Sequence, residues 1–91
     1  MPLITLLDRA DAPEATLRAR GLSPYPWSAG PGAVFPAHAH AQTKHLYVLH
    51  GSIEFDGVEL GPGDGILIPL GTEHSAVAGP TGVTCLEAFE D

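Results

Sequence analysis

GAVFPAHAHAQTKHLYVLHG, residues 32–51, holds four of the five histidines of this chain. Side chains at i and i+2 on an extended strand share a face, so His38 and His40 are placed to meet one metal ion. The next strong polar side chain, Lys44, is a cation where a metal would repel one. Taken alone the pair is a weak signal, since His-x-His arises by chance and two partly exposed histidines on an edge strand are the commoner case. The neighbouring sequence has to supply the rest.

On both sides the chain reads as short extended segments punctuated by turns. AVFPAHAH and KHLYVLH are two such segments, separated by a short polar connection in which Gln42 and Thr43 are expected at the mouth of the fold. SIEFDGVEL reads as a hairpin, with Ile53 and Phe55 alternating against Val58 and Leu60 around the turn pair Asp56-Gly57. ILIP, HSAVA and GVTCLEAF complete the set, the last two separated by the breaker GPTG. LITLL at residues 3–7 reads as a short edge strand. Only DAPEATLRARG departs from this pattern: it predicts a brief helix near residues 12–20. Asp11 and Glu14 resemble a capping box there, Pro13 suits the first turn, Gly21 suits the stop, and Ala15, Leu17 and Leu22 give an apolar face. Strands recurring every eight to ten residues or so predict an all-β barrel or sandwich. With no repeat and no linker, the chain is expected to be one domain over 1–91, with 1–29 as a lead-in segment and 30–91 as the barrel.

Composition agrees. Hydrophobic residues make up 44% of the 91 residues and charged ones 16%, which is a folding composition, and eleven Gly with nine Pro disfavour a helical bundle. Four basic residues against eleven acids leave a formal charge of −7 and no basic stripe, which argues against nucleic-acid binding. No apolar run is long enough for a membrane helix, and the N-terminus does not read as a secretory signal. The single cysteine, Cys85, fits a small core residue in a reducing cytoplasm.

Residues 30–90 resemble the cupin superfamily, small single-domain members above all. Gly32, five residues, His38-x-His40, three residues, Lys44, six residues and Gly51 follow the spacing of the first cupin motif. Gly63, five residues, Pro69-x-Gly71, two residues and His74 follow the second, with Ala78 where an asparagine is usual. The resemblance implies an antiparallel jelly-roll β-barrel with a central divalent transition metal (Zn, Fe, Mn or Ni) held by His38, His40 and His74. Gly51, Gly63 and Gly71 allow its corners. Imidazoles suit such ions, and three ligands leave open positions for water or substrate.

Lys44 stands where the resemblance implies a carboxylate ligand, and three readings follow. Lys44 points inward and attracts a small anionic molecule; or a bulge turns His45 inward as a fourth ligand; or Lys44 abolishes metal binding and leaves a metal-free binding or structural module. Consecutive strand residues face opposite sides, so Lys44 and His45 cannot both point in without a bulge. Glu73 and Glu87 are candidate outer groups, His50 an exposed turn residue, and Tyr25 and Trp27 are expected to pack over the barrel end or an interface rather than bind a ligand. The expectation is a metal-binding protein that binds or transforms a small molecule, in the manner of a metal-dependent dioxygenase or isomerase. A homodimer is expected through LITLL and the segment containing Trp27.

Overall fold

A computed structural model describes residues 4–91. The strands, in chain order, are β1 (Thr5–Leu7), β2 (Tyr25–Ala29), β3 (Val34–His38), β4 (Lys44–Phe55), β5 (Val58–Leu60), β6 (Gly65–Ile68) and β7 (His74–Phe89), with one helix, α1 (Pro13–Ala19), between β1 and β2. Every strand pairing is antiparallel. The fold is all-β, an antiparallel jelly-roll barrel with one short helix. None of the described helices is long and apolar enough to cross a membrane. The start of LITLL, at Leu3, lies outside the described residues.

Two long strands organise the barrel. β4 and β7 pair from Lys44 opposite Phe89 to Phe55 opposite Ala76. The first half of β4 also pairs with β6, which carries β1 on its far edge, while the second half pairs with β5. On β7, the first half takes β3 and the second half takes β2. The register of β4 on β7 shifts between Val48 and His50 and again between Gly51 and Ile53. These irregularities bend both strands so that each serves two layers. Gly51 sits in the bend at φ +76°, where an added Cβ would lie 2.1 Å from the Gly82 carbonyl oxygen. Only glycine fits there.

Between the layers lies a core that includes Leu46, Val48, Ile53, Phe55, Ile66, Ile68 and Cys85. Cys85 is the small buried residue expected, and burial pushes its thiol up to about 12. Alternate residues of β4 and β7 face the other way. Tyr47 and Leu86 form a second cluster there with Leu17 of α1 and Ala10.

Several local expectations hold. The hairpin turn at Asp56-Gly57 has both residues at positive φ, +47° and +88°, as a type I′ turn requires. The helix stops on Gly21 at φ +80°, with Gly21 N–H donating to the Arg18 carbonyl and Leu22 N–H to that of Leu17. This is a Schellman stop.

Others need correction. The N-cap is Ala12, without a side-chain cap, so Asp11 and Glu14 form no capping box; Pro13 at the first helical position sets the start instead. Ala15 is exposed, and Leu17 alone of the helix is buried. GPTG does not separate two strands. β7 runs through it, with Gly82 taking φ +81° inside the strand. Tyr25–Ala29, read only as part of the lead-in segment, is a strand on the edge of the sheet.

Candidate metal centre and its cavity

β3 ends at His38 opposite His74, the first residue of β7, so backbone pairing brings two imidazoles together. His40 follows two residues on, held near the turn of the second motif by the Gly71 N–H donating to its carbonyl, 2.8 Å. Ring centroids are 4.8 Å apart for His38 and His40, 4.4 Å for His38 and His74, and 5.2 Å for His40 and His74. His74 is buried, while His38 and His40 keep some contact with solvent.

The protons on two of these rings are placed by the backbone. His38 Nδ1 lies 2.7 Å from the Pro36 carbonyl oxygen and His74 Nδ1 lies 3.0 Å from that of Thr72. A carbonyl only accepts, so both Nδ1 atoms carry hydrogen, and it is the Nε2 atoms that such tautomers leave for a metal. The Nε2 atoms of His40 and His74 are buried with no hydrogen-bond partner among the described residues. Burial lowers the pKa of His40, and the charges of Lys44, His38 and His74 lower it further. Burial likewise lowers that of His74, against an upward pull from the Thr72 carbonyl. Neutral imidazoles with orphaned acceptors are the form that binds a transition metal. One ligand atom from each histidine lies within 4.8 Å of the others. Metal–nitrogen bonds of about 2.0–2.1 Å require nitrogens roughly 3–3.4 Å apart, so a rotation of one or two rings closes the set. The residues fit a metal.

Lys44 points inward. Its side chain is only 8% exposed, and Nζ lies 3.4 Å from Glu87 Oε1 and 5.4 Å from the centre of the Phe89 ring. Glu87, also 8% exposed, accepts hydrogen bonds from Trp27 Nε1, 2.7 Å, and from the Tyr25 hydroxyl. The register explains this convergence. Tyr25 is directly opposite Glu87, Trp27 is two residues along β2 on the same face, and Lys44 is two residues from Leu46, the β4 partner of Glu87. Tyr25 is 44% exposed as a residue, yet its hydroxyl turns inward. Burial of that end and the Glu87 carboxylate push the phenol up to about 12, so it remains a donor.

His45 faces the other side. Its Nε2 is 2.7 Å from Glu90 and its Nδ1 3.3 Å from Arg20, which also donates to Tyr47. β4 has no bulge at Lys44 and His45, so the geometry leaves His45 outside the histidine group. Glu73 and His50 are exposed. Gln42 and Thr43 tie the connection down: Gln42 donates to the Glu90 carbonyl, and the Thr43 hydroxyl accepts from Leu70 N–H.

Beside the histidines is a cavity of about 320 Å³, lined by His38, His74, Lys44 and Glu87 and walled by Tyr25, Trp27, Phe35, Ile53, Phe55 and Ala76. Tyr25 and Trp27, expected to pack over the barrel end or an interface rather than bind a ligand, donate hydrogen bonds to Glu87 and line the cavity. Glu87 was foreseen only as an outer group. Its pairing with Lys44 joins positions 43 residues apart in sequence, and no local pattern marks it.

The sequence profile described as Cupin domain matches residues 27–87. Among solved structures, an RmlC-like cupin from Shewanella frigidimarina NCIMB 400 is 32% identical with a TM-score of 0.66, over 75% of this chain and 64% of its own. The polyketide cyclase RemF from Streptomyces resistomycificus is 32% identical with a TM-score of 0.65, over 75% of this chain and 54% of its own. Bacillus subtilis oxalate decarboxylase, a protein with Mn(II) centres, is 26% identical with a TM-score of 0.68, over 77% of this chain and 21% of its own. The chain therefore spans between about a fifth and just under two-thirds of these proteins. No curated protein matches the sequence.

Proposed function

Because the chain belongs to the cupin domain family, we propose that it holds one divalent transition metal (Zn, Fe, Mn or Ni) on His38, His40 and His74. In this reading it binds or transforms a small anionic molecule in the adjoining cavity. The observation that carries the proposal is the pair of buried, unpartnered Nε2 atoms on His40 and His74 beside a third imidazole. Burying acceptors without partners costs free energy, and a metal removes that cost. The Lys44 charge, which argued against a metal, is compensated by Glu87. That favours the metal-binding reading over a metal-free module.

When bound, such a metal supplies Lewis-acid or redox chemistry of the kind a dioxygenase or isomerase uses. The chain contributes the rest. Thr72 and Pro36 orient two imidazoles, Glu87 holds Lys44 in the cavity, and Trp27, Phe35 and Phe55 give it an aromatic wall. His45 takes no part; with Arg20 and Glu90 it fastens the region after α1 to β4 and the C-terminus.

Metal analysis of untagged protein tests the reading, with one ion per chain expected. His74→Ala should lose it and His50→Ala should keep it. Equal retention by both variants, or no uptake by the parent protein, would reject the site. We further propose a homodimer in the cytoplasm, supported by the edge position of β1, where Leu6 is 64% exposed, and by the free thiol of Cys85. A monomeric mass by light scattering at micromolar concentration would count against the dimer.

A further inference from the structure

The charges around the cavity do not balance once a metal is present. Lys44 and Glu87 are buried against each other and cancel. The three imidazoles are neutral as ligands, so a divalent ion brings two positive charges that no side chain lining the cavity offsets. Glu87 is already engaged, with Trp27 and Tyr25 donating to its two oxygens and Lys44 beside it. The cavity opens to solvent on one side and has an apolar wall on the other, where water compensates such charge only in part, so an occupant that brings negative charge is favoured.

The walls limit its shape. Trp27 and Phe35 meet edge to face, with centroids 5.4 Å apart, and Phe55 lies 6.2 Å from the His74 ring. These rings line a volume of about 320 Å³. That is about twice the ~150 Å³ apolar cavity that accepts one benzene, so a single ring with a small polar group fits.

We propose that this cavity takes a flat aromatic carboxylate, selected by the charge balance that Lys44 and Glu87 set and by the ring walls of Trp27, Phe35 and Phe55. The proposal rests on the three-histidine metal reading. Its carboxylate answers the charge of the loaded centre, and its ring replaces water against the aromatic wall. Glu87 is thus a specificity-determining residue: by neutralising Lys44 it makes the anion preference depend on the metal.

Trp27 is the only tryptophan and lines the cavity, so its fluorescence reports occupancy. The experiment titrates benzoate, benzamide and acetate into chelator-treated and zinc-loaded protein, with zinc uptake followed separately by calorimetry. The expected order in loaded protein is benzoate tighter than benzamide and tighter than acetate, each by roughly tenfold, with benzoate much weaker without zinc. Glu87→Gln should tighten benzoate by about tenfold and Lys44→Met weaken it by a similar factor. Lys44→Met/Glu87→Gln keeps the charge sum and should return to the parent affinity. This double variant also serves if either single change fails to fold. Zinc uptake with equal affinity for benzoate and benzamide, or for benzoate and acetate, overturns the proposal and leaves the metal site standing. Failure to take up zinc removes the metal reading and this proposal with it.

Discussion

Replacing Lys44 with methionine removes the positive member of a buried pair while keeping most of the side-chain length. At 3.4 Å the Coulomb attraction in a medium of effective dielectric about 20 is roughly 5 kcal/mol, most of it cancelled by desolvation while both partners are present. Removing one partner leaves the other charge buried and alone, which typically costs about 3–5 kcal/mol. Glu87 would keep its hydrogen bonds from Trp27 and Tyr25, so the cost should fall near the lower end, about 3 kcal/mol. For a chain of this size that is a fall in melting temperature of about 12–24 °C. Adding Glu87→Gln removes the orphaned charge and should restore stability to within about 1 kcal/mol of the parent. The assay is urea denaturation of the parent, both single variants and the double variant, at neutral pH with chelator present. Single changes costing under about 1 kcal/mol each, and adding without interaction in the double variant, would refute a coupled buried pair.

Three other outcomes are expected. Both His40 and His74 have pKa values below the usual 6.5, chiefly through burial, so the unfolded chain takes up protons that the folded, metal-free protein refuses. Its stability should therefore fall as pH drops below about 6.5, and a flat urea midpoint down to about pH 5 would contradict this. Gly51→Ala forces a side chain into positive φ and against the Gly82 carbonyl, costing at least about 2 kcal/mol, whereas Gly57→Asn, with open space around its Cβ, should cost less; denaturation midpoints compare them. His45→Ala should leave zinc uptake unchanged and lower stability by about 1 kcal/mol through the lost Arg20 and Glu90 contacts, read by calorimetry and denaturation together.

What could be read from the sequence was what depends on short-range pattern. Asp56-Gly57 announces its turn because few residue pairs accept two positive φ angles. Strand periodicity brings His38 and His40 into view as a pair, whereas His74 joins them only through the resemblance of its Pro69-x-Gly71 stretch to the second cupin motif. β2 was hidden by Pro24, Pro26 and Gly30, which break an ordinary strand pattern. Pro26 is tolerated because β2 lies at the sheet edge, where a missing N–H leaves no ladder unsatisfied. Continuity of β7 through GPTG was hidden for a related reason: a bend inside a strand uses the same residues as a turn between two. The partner of Lys44 was out of reach because strand pairing over a long sequence separation carries no local signature.

The two-layer role of β4 and β7 has a kinetic consequence. The ladder between them closes its smallest loop at Phe55 opposite Ala76 and its largest at Lys44 opposite Phe89, so loop entropy favours zipping from the first toward the second. β3 can dock His38 against His74 only on a β7 already laid down. The half of β7 that carries His74 is the part the ladder lays down first, and His38 opposite His74 closes a smaller loop than Lys44 opposite Phe89, so loop entropy places the histidine group before the far end of the ladder. Metal present during refolding should therefore raise the folding rate, by holding together strands that meet early, as well as slow unfolding.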